Sequence, residues 1–251
     1  MKILLINPNT TEQLTKLLGD AARSVLSPGT TLDCITTQRG VPYISTRSEA
    51  IVGGLSVLEI LAEHHQDYDA AIVAAFGDPG LGAARELFDI PIVGLAEAGM
   101  LTACMLGGRF SVVTFARALG PWYQECVDWH GMGGRCASIR MLEGAFASIA
   151  DVQEEKADLL EALALRAIEE DGADVIVMAG APLAGLAPLM RERIPVPVVD
   201  CAQAALRQAE TLAALKPVGA QRGSFARPAA KHSVGLSKAL ASRIAHDDFA
   251  R

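Results

Sequence analysis

Asn7, Asn9 and Thr10 end the first apolar run of the chain, Ile3-Leu-Leu-Ile6, and gather amide and hydroxyl groups at one point. Such residues form turns and cap helices, and at the mouth of a cleft they also donate to a carboxylate or carbonyl. Asp78, in Gly77-Asp-Pro-Gly80, offers a carboxylate for general-base work or, more simply, for capping a helix. Cys201 follows Val198-Val-Asp200 at the start of a helical stretch, where the helix dipole lowers a thiol pKa. It is a candidate base or nucleophile, with buried packing as the plainer reading. Thr114 ends a second apolar run and serves either the strand end or a ligand. Tyr43 follows Gly40-Val-Pro42 on a loop that either folds over a cleft or packs.

Five cysteines (34, 104, 126, 136, 201) include no Cys-x-x-Cys pair, and five histidines (64, 65, 130, 232, 246) form no His-Glu-x-x-His pattern. Neither a disulfide framework nor a metal site is expected, and no cofactor. Trp122 and Trp129 lie seven apart on one expected helix, a spacing that suits a core or a subunit contact.

The elements that must position these residues repeat. Asp69-Ala-Ala-Ile-Val-Ala-Ala75 lies against Asp174-Val-Ile-Val-Met-Ala-Gly180, Ile90–Gly94 against Val196–Asp200, and Ile3–Asn7 against Phe110–Thr114. The three registers agree to within two residues. Two similar α/β halves are expected, facing one another, with the small-residue turns at Ala75 and Gly180 on opposite walls of one cleft. Strands are expected at Lys2–Ile6, Thr31–Thr36, Ala70–Ala75, Ile90–Gly94, Phe110–Thr114, Asp174–Ala179 and Val196–Val199, with helices between them. All but Thr31–Thr36 are short apolar runs without alternation, as in a parallel sheet covered on both faces. Asp151 is expected to cap a long helix, and Ser237 the last one. The expected lobes are 1–105 with 205–251, and 106–204. In such folds ligands bind beyond the carboxyl ends of the strands.

The chain has 251 residues, 51% of them hydrophobic, and a net charge of −7. It has ample core, and its acidic balance disfavours nucleic acid and anionic membrane as partners. No apolar run approaches the roughly 20 residues of a membrane span, and the start lacks a signal-peptide pattern. A cytoplasmic homo-oligomer with a small-molecule substrate is expected.

Ile6-Asn-Pro-Asn-Thr10, Gly40-Val-Pro-Tyr43, Phe76-Gly-Asp-Pro-Gly-Leu81, Arg109-Phe-Ser-Val-Val-Thr114, Ala181-Pro-Leu-Ala-Gly185 and Pro197-Val-Val-Asp200 together resemble the Asp/Glu/hydantoin racemase superfamily, most closely its hydantoin and allantoin racemase branch. The resemblance covers nearly the whole chain. It implies two cysteines, one per half, on opposite faces of an acidic carbon, one thiolate taking the proton and the other thiol returning it. It also implies that backbone amides hold the substrate's carbonyls and stabilise the enolate. The positions that match those cysteines are Ala75 and Gly180. The resemblance therefore carries the fold and the pocket, with Asn7, Asn9, Thr10, Tyr43, Ala75, Phe76, Gly77, Thr114, Gly180, Ala181 and Pro182 around the ligand, but not the thiol chemistry.

Three functions remain open from sequence. One is a racemase-like enzyme acting on a small cyclic amide or amino-acid derivative through an enolate or related oxyanion. Another is a lyase, decarboxylase or ring-opening hydrolase on the same scaffold. The third is a non-catalytic binding protein.

Overall fold

The computed structural model describes residues 1–143 and 152–247. The expected cap Asp151 lies outside the described residues. The chain forms two four-stranded parallel sheets. The first is built from β1 (Lys2–Asn7), β2 (Thr31–Thr36), β3 (Ala70–Val73) and β4 (Ile92–Gly94), in the order β2-β1-β3-β4. The second uses β5 (Phe110–Thr114), β6 (Cys136–Met141), β7 (Val175–Met178) and β8 (Val198–Asp200), in the order β6-β5-β7-β8. The two orders are the same, as the repeated sequence predicts.

Strand β6 is an element the sequence reading omits. Cys-Ala-Ser-Ile-Arg-Met is a half-buried edge strand with polar alternate positions, so it lacks the apolar run that marks the others. Its place is held by partners far away in sequence. Ser138 meets Ser111 at 2.8 Å, and Arg140 binds Asp171 at 2.6 Å.

Successive residues of β1 and β3 point into different cores. Ile3, Leu5, Ala70 and Ile72 join a large core that runs on to Val112, Val175 and Val177 of the second sheet. Leu4, Ile6, Ala71 and Val73 pack instead under helices α2 (Arg47–His64) and α3 (Leu81–Leu87). Both faces of β1 and β3 are thus dry, which explains their unbroken apolar runs. The halves also exchange helices. Helix α4 (Leu95–Leu106), which follows β4, packs on β7; helix α8 (Cys201–Leu215), which follows β8, packs on β3 and on α1 (Glu12–Arg23). The last helix, α9 (Lys238–Ala245), returns to α2, capped by Ser237 as expected. Among the described residues no helix is long and apolar enough to cross a membrane.

Candidate active site

The turns after β3 and β7 are joined by a residue that the sequence reading passes over. Tyr123 stands on α5 (Gly120–Trp129) and is buried. Its ring packs on Phe76, with centroids 4.5 Å apart, and on its neighbour Trp122 at 5.7 Å. Its hydroxyl lies 3.4 Å from where a Cβ at Gly180 would be, and a ring carbon of Phe115 lies 2.7 Å from the same point. Tyr43 closes the cluster, its ring 5.8 Å from that of Phe115. Tyr123 therefore spans the space between the walls that carry Ala75 and Gly180. The sequence signal was an aromatic pair at the start of a Gly-Pro helix, and its direction was unreadable without the crossing of the two halves.

The loop that carries Tyr43 is fastened to the first strand-end turn. Thr10 N–H donates to the Val41 carbonyl at 3.0 Å, and the Thr11 hydroxyl to the Pro42 carbonyl at 2.6 Å. Thr11, at the N-cap position before α1, thus ties down the loop with its hydroxyl, which makes no capping bond to its own helix. The Tyr43 hydroxyl is buried and has no hydrogen-bond partner among the described residues. A buried donor left unmade costs about 1–3 kcal/mol, so an acceptor beside this hydroxyl would be favoured.

Other candidate groups divide between structure and site. Asn7 is fully buried; its Nδ2 donates to Asn9 Oδ1 at 3.1 Å and to the Thr15 hydroxyl at 2.9 Å, and its Oδ1 accepts from Asn9 N–H at 3.2 Å. The expectation that Asn7 faces a ligand is thereby corrected: its amide is spent inside the turn. Asn9 accepts from Thr11 N–H at 3.0 Å, while its own Nδ2 donates to no described protein atom. The Thr114 hydroxyl donates to the Ala179 carbonyl at 2.9 Å and also lies beside the Tyr123 phenol. Among the described residues the backbone N–H groups of Phe76 and Ala181 donate to no protein acceptor. Gly77 N–H faces the Cys126 sulfur, so it is not the free donor the sequence suggests. Pro182, which has no N–H, shapes the wall and accepts from Gln153 Nε2 at 2.9 Å.

Asp78 caps a helix, but not the one beside it. Its oxygens accept from Ala96 N–H at 2.8 Å and Glu97 N–H at 2.9 Å, the first turn of α4. His130 Nε2 meets the same carboxylate at 2.8 Å, and its Nδ1 lies 3.6 Å from Glu97, which pairs with Arg85 at 2.9 Å. Asp78, Cys126 and His130 bring their ligand-type atoms within 4.8 Å of one another. Both Asp78 oxygens are already committed, and burial pushes the Cys126 thiol up, so the group is a hydrogen-bonded brace, a poor cradle for a cation. The bridge between Asp78 and a histidine 52 residues on is invisible to any spacing rule.

Cys201 is buried and donates to the Met178 carbonyl at 3.3 Å. Burial, with Asp200 and Asp78 nearby, pushes its thiol well up, outweighing its place at a helix start. It packs as a neutral thiol and is not an activated base. Burial also pushes both phenols up, Tyr43 with help from Glu49 and Tyr123 with help from Tyr43. At neutral pH both are donors. Trp122 lies in the core against Gly77, whereas Trp129 is 58% exposed, so the tryptophan pair does not share one environment.

The arrangement sets unspent donors on the two strand-end turns and the Tyr43 loop, beside a cluster of aromatic rings, and donors of this kind suit a carbonyl as it gains negative charge. Known proteins give that arrangement a lineage. The family model for Asp/Glu/Hydantoin racemase matches residues 3–209. A hydantoin racemase of Paenarthrobacter aurescens is 34% identical over 92% of this chain and 99% of its own. The structure of an allantoin racemase from Klebsiella pneumoniae superposes with a TM-score of 0.90 at 33% identity, covering 96% of this chain and 98% of the other. That of an allantoin racemase from Pseudomonas fluorescens gives 0.87 at 33% identity, over 94% and 100%. With its doubled sheet, its two facing turns and relatives matched almost end to end, the chain belongs to the Asp/Glu/hydantoin racemase family and is an enzyme of the isomerase class.

Proposed function

We propose that the enzyme moves a proton at an acidic carbon of a small cyclic amide or amino-acid derivative, through an enolate-like oxyanion and without a thiol pair. The relatives' names supply the substrate class, since hydantoin and allantoin are cyclic amides with a carbon acid beside a carbonyl. The residues supply the departure. Ala75 and Gly180 cannot titrate, and the nearest thiols, Cys126 and Cys201, are buried and pushed up. What the cleft offers instead is donors: Tyr43 O–H, Phe76 N–H, Ala181 N–H and Asn9 Nδ2. Donors of this kind stabilise a developing oxyanion more than the ground-state carbonyl.

The single observation that carries this reading is the orphan hydroxyl of Tyr43. Its test is Tyr43→Phe. Titration of hydantoin and allantoin by calorimetry should show binding weakened by about 1–3 kcal/mol, because a buried ligand acceptor loses its donor. Thermal unfolding of the free protein should not suffer, because the variant removes an unsatisfied buried group. Unchanged affinity in Tyr43→Phe would take the hydroxyl, and this reading with it, out of the site.

A further inference from the structure

We propose that His130 is a positioning residue of this site: it holds the Asp78 carboxylate and so sets the Phe76 N–H of one strand-end turn against the Ala181 N–H of the other. This rests on the oxyanion reading above and goes beyond it by naming the group that aligns its donors.

The geometry begins with a strained residue. Asp78 has φ of 48°, in the left-handed region, where a residue with a side chain persists only if its surroundings hold it. Its N–H closes a turn on the Ala75 carbonyl at 3.0 Å, with Phe76 and Gly77 as the central residues. The Phe76 N–H, which has no protein acceptor among the described residues, is therefore aimed by whatever holds Asp78. Gly94 leaves the room for this, since a Cβ there would stand 2.5 Å from the carboxylate. Three bonds fix the carboxylate, and all come from helices seated on the second sheet. Ala96 and Glu97 N–H belong to α4, which packs on β7; His130 stands just past α5, which packs on β6. The two bonds from α4 tie the carboxylate to a single helix end, about which it can still turn. The bond from His130 comes from a second helix and fixes its orientation.

His130 is itself well held. A carboxylate only accepts, so Nε2 is the donor in the 2.8 Å bond. The side chain is 4% exposed, its ring stands edge-on to Trp129 at 4.6 Å, and Glu97 lies 3.6 Å from Nδ1. The same helix meets the turn at one other point, where Trp122 packs over Gly77. An apolar contact of that kind has no preferred direction, whereas a hydrogen bond does. The Ala181 N–H stands on the turn after β7, in the half that carries His130. Two donors on separate turns stabilise one oxyanion only when both point at the place it will occupy.

The test follows Phe76 directly. Protein labelled at its phenylalanine nitrogens, with the Phe76 signal assigned from Phe76→Tyr, is titrated with hydantoin and with allantoin by NMR, and affinity is measured in parallel by calorimetry. In the wild type the Phe76 amide proton should move downfield as the N–H gains an acceptor. In His130→Leu that shift should largely vanish, and affinity should fall about tenfold. In His130→Gln, whose side-chain amide reaches as far as Nε2, both should return toward the parent values. His130→Asn is one carbon too short to reach Asp78 and should behave as His130→Leu; it takes that variant's place if the apolar one does not fold. A merely structural brace would lower thermal stability without moving the Phe76 signal of the folded protein. A Phe76 shift that persists in full without the His130 donor, or one that His130→Gln does not restore, would overturn the proposal and leave the oxyanion reading intact. Binding to the wild type without a Phe76 shift would also overturn it, with the oxyanion reading then decided by Tyr43→Phe; absence of binding would overturn both.

Discussion

The turns after β3 and β7 occupy equivalent places in two sheets of the same order, yet they are secured differently. After β3, Asp78 reaches across to the first turn of α4 and to His130, a residue of the other half, and Glu97 and Arg85 extend the chain of contacts. After β7 the described residues show no bridge of that kind. That turn is tied through Gly185 N–H to Asp200, the last residue of β8, which also caps α8 through Ala202 and Gln203 N–H at 2.9 and 3.0 Å. The first turn is thus a junction between halves, and the second is tied to the end of β8 in its own half. The turn after β3 carries Ala75, whereas the turn after β7 carries Gly180 and has the Tyr123 phenol beside it. Equivalent backbone positions have been given unequal duties.

The comparison breaks most visibly if the two aspartates are removed in turn. Asp78→Ala strips the cap from α4 and leaves His130 and two N–H groups buried without an acceptor. Its expected cost is about 3–5 kcal/mol. Asp200→Ala loses a cap and should cost about 1–2 kcal/mol. Burial raises the Asp200 carboxyl against the three N–H groups that lower it, so part of its charge is held at a cost that the variant relieves. Chemical denaturation of the two variants decides the matter; equal losses would mean that the bridge to His130 adds nothing.

A smaller contrast lies in the glycines. Gly77 has φ of 109° and Gly180 of 110°, both in the left-handed region where a side chain is strained. A Cβ at 77 would lie 2.2 Å from the Trp122 ring, and one at 180 would lie 2.7 Å from Phe115. Gly77→Ala should cost about 3 kcal/mol and Gly180→Ala about 2 kcal/mol, both by forcing an aromatic side chain aside. Ala75→Cys meets no such backbone strain and should fold normally. The two positions are therefore unequal for a thiol: a cysteine at 75 fits its turn, but one at 180 needs Phe115 to move first. If Gly180→Cys proves as stable as the parent, the crowding around position 180 has been misread.

The fold was legible because its signals are local and repeated. Apolar strands ending at Asn7, Thr114 and Asp200 announce a buried parallel sheet, and the matched registers announce two copies. The edge strand Cys136–Met141 was not legible, because half-buried polar alternation without a tight turn reads as loop. The walls of the site were legible as positions, Ala75 and Gly180, but not their contents. Tyr123 enters from α5 and His130 from the residue just past it, and nothing in their spacing records that α5 crosses to the turn after β3. Asn7 and Thr114 were read as site residues because polar groups at strand ends serve ligands and turns alike; only the hydrogen bonds tell the two apart.

The smallest effect concerns acid. Burial raises the Glu97 carboxyl, but the hydrogen bond and charge of Arg85, with His130 beside them, outweigh it and hold the group below its usual 4.5. A carboxylate held low in the folded state adds stability that is fully present above the unfolded value and is lost as pH falls through the folded one. Wild type and Glu97→Gln should therefore differ by about 1 kcal/mol at pH 7, as expected for a half-screened ion pair. The gap should close as pH drops below 4.5. The carboxylate at the end of β8 gives the contrast: Asp200 is raised, so its native form binds the extra proton and its contribution moves the other way, weakening as pH climbs past its ordinary value. Urea unfolding of wild type, Glu97→Gln and Asp200→Asn at pH 3.5, 5 and 7 separates the two signs. A Glu97→Gln difference that stays constant across that range would show that the pair with Arg85 contributes nothing through charge, and that the first turn is braced by Asp78 alone.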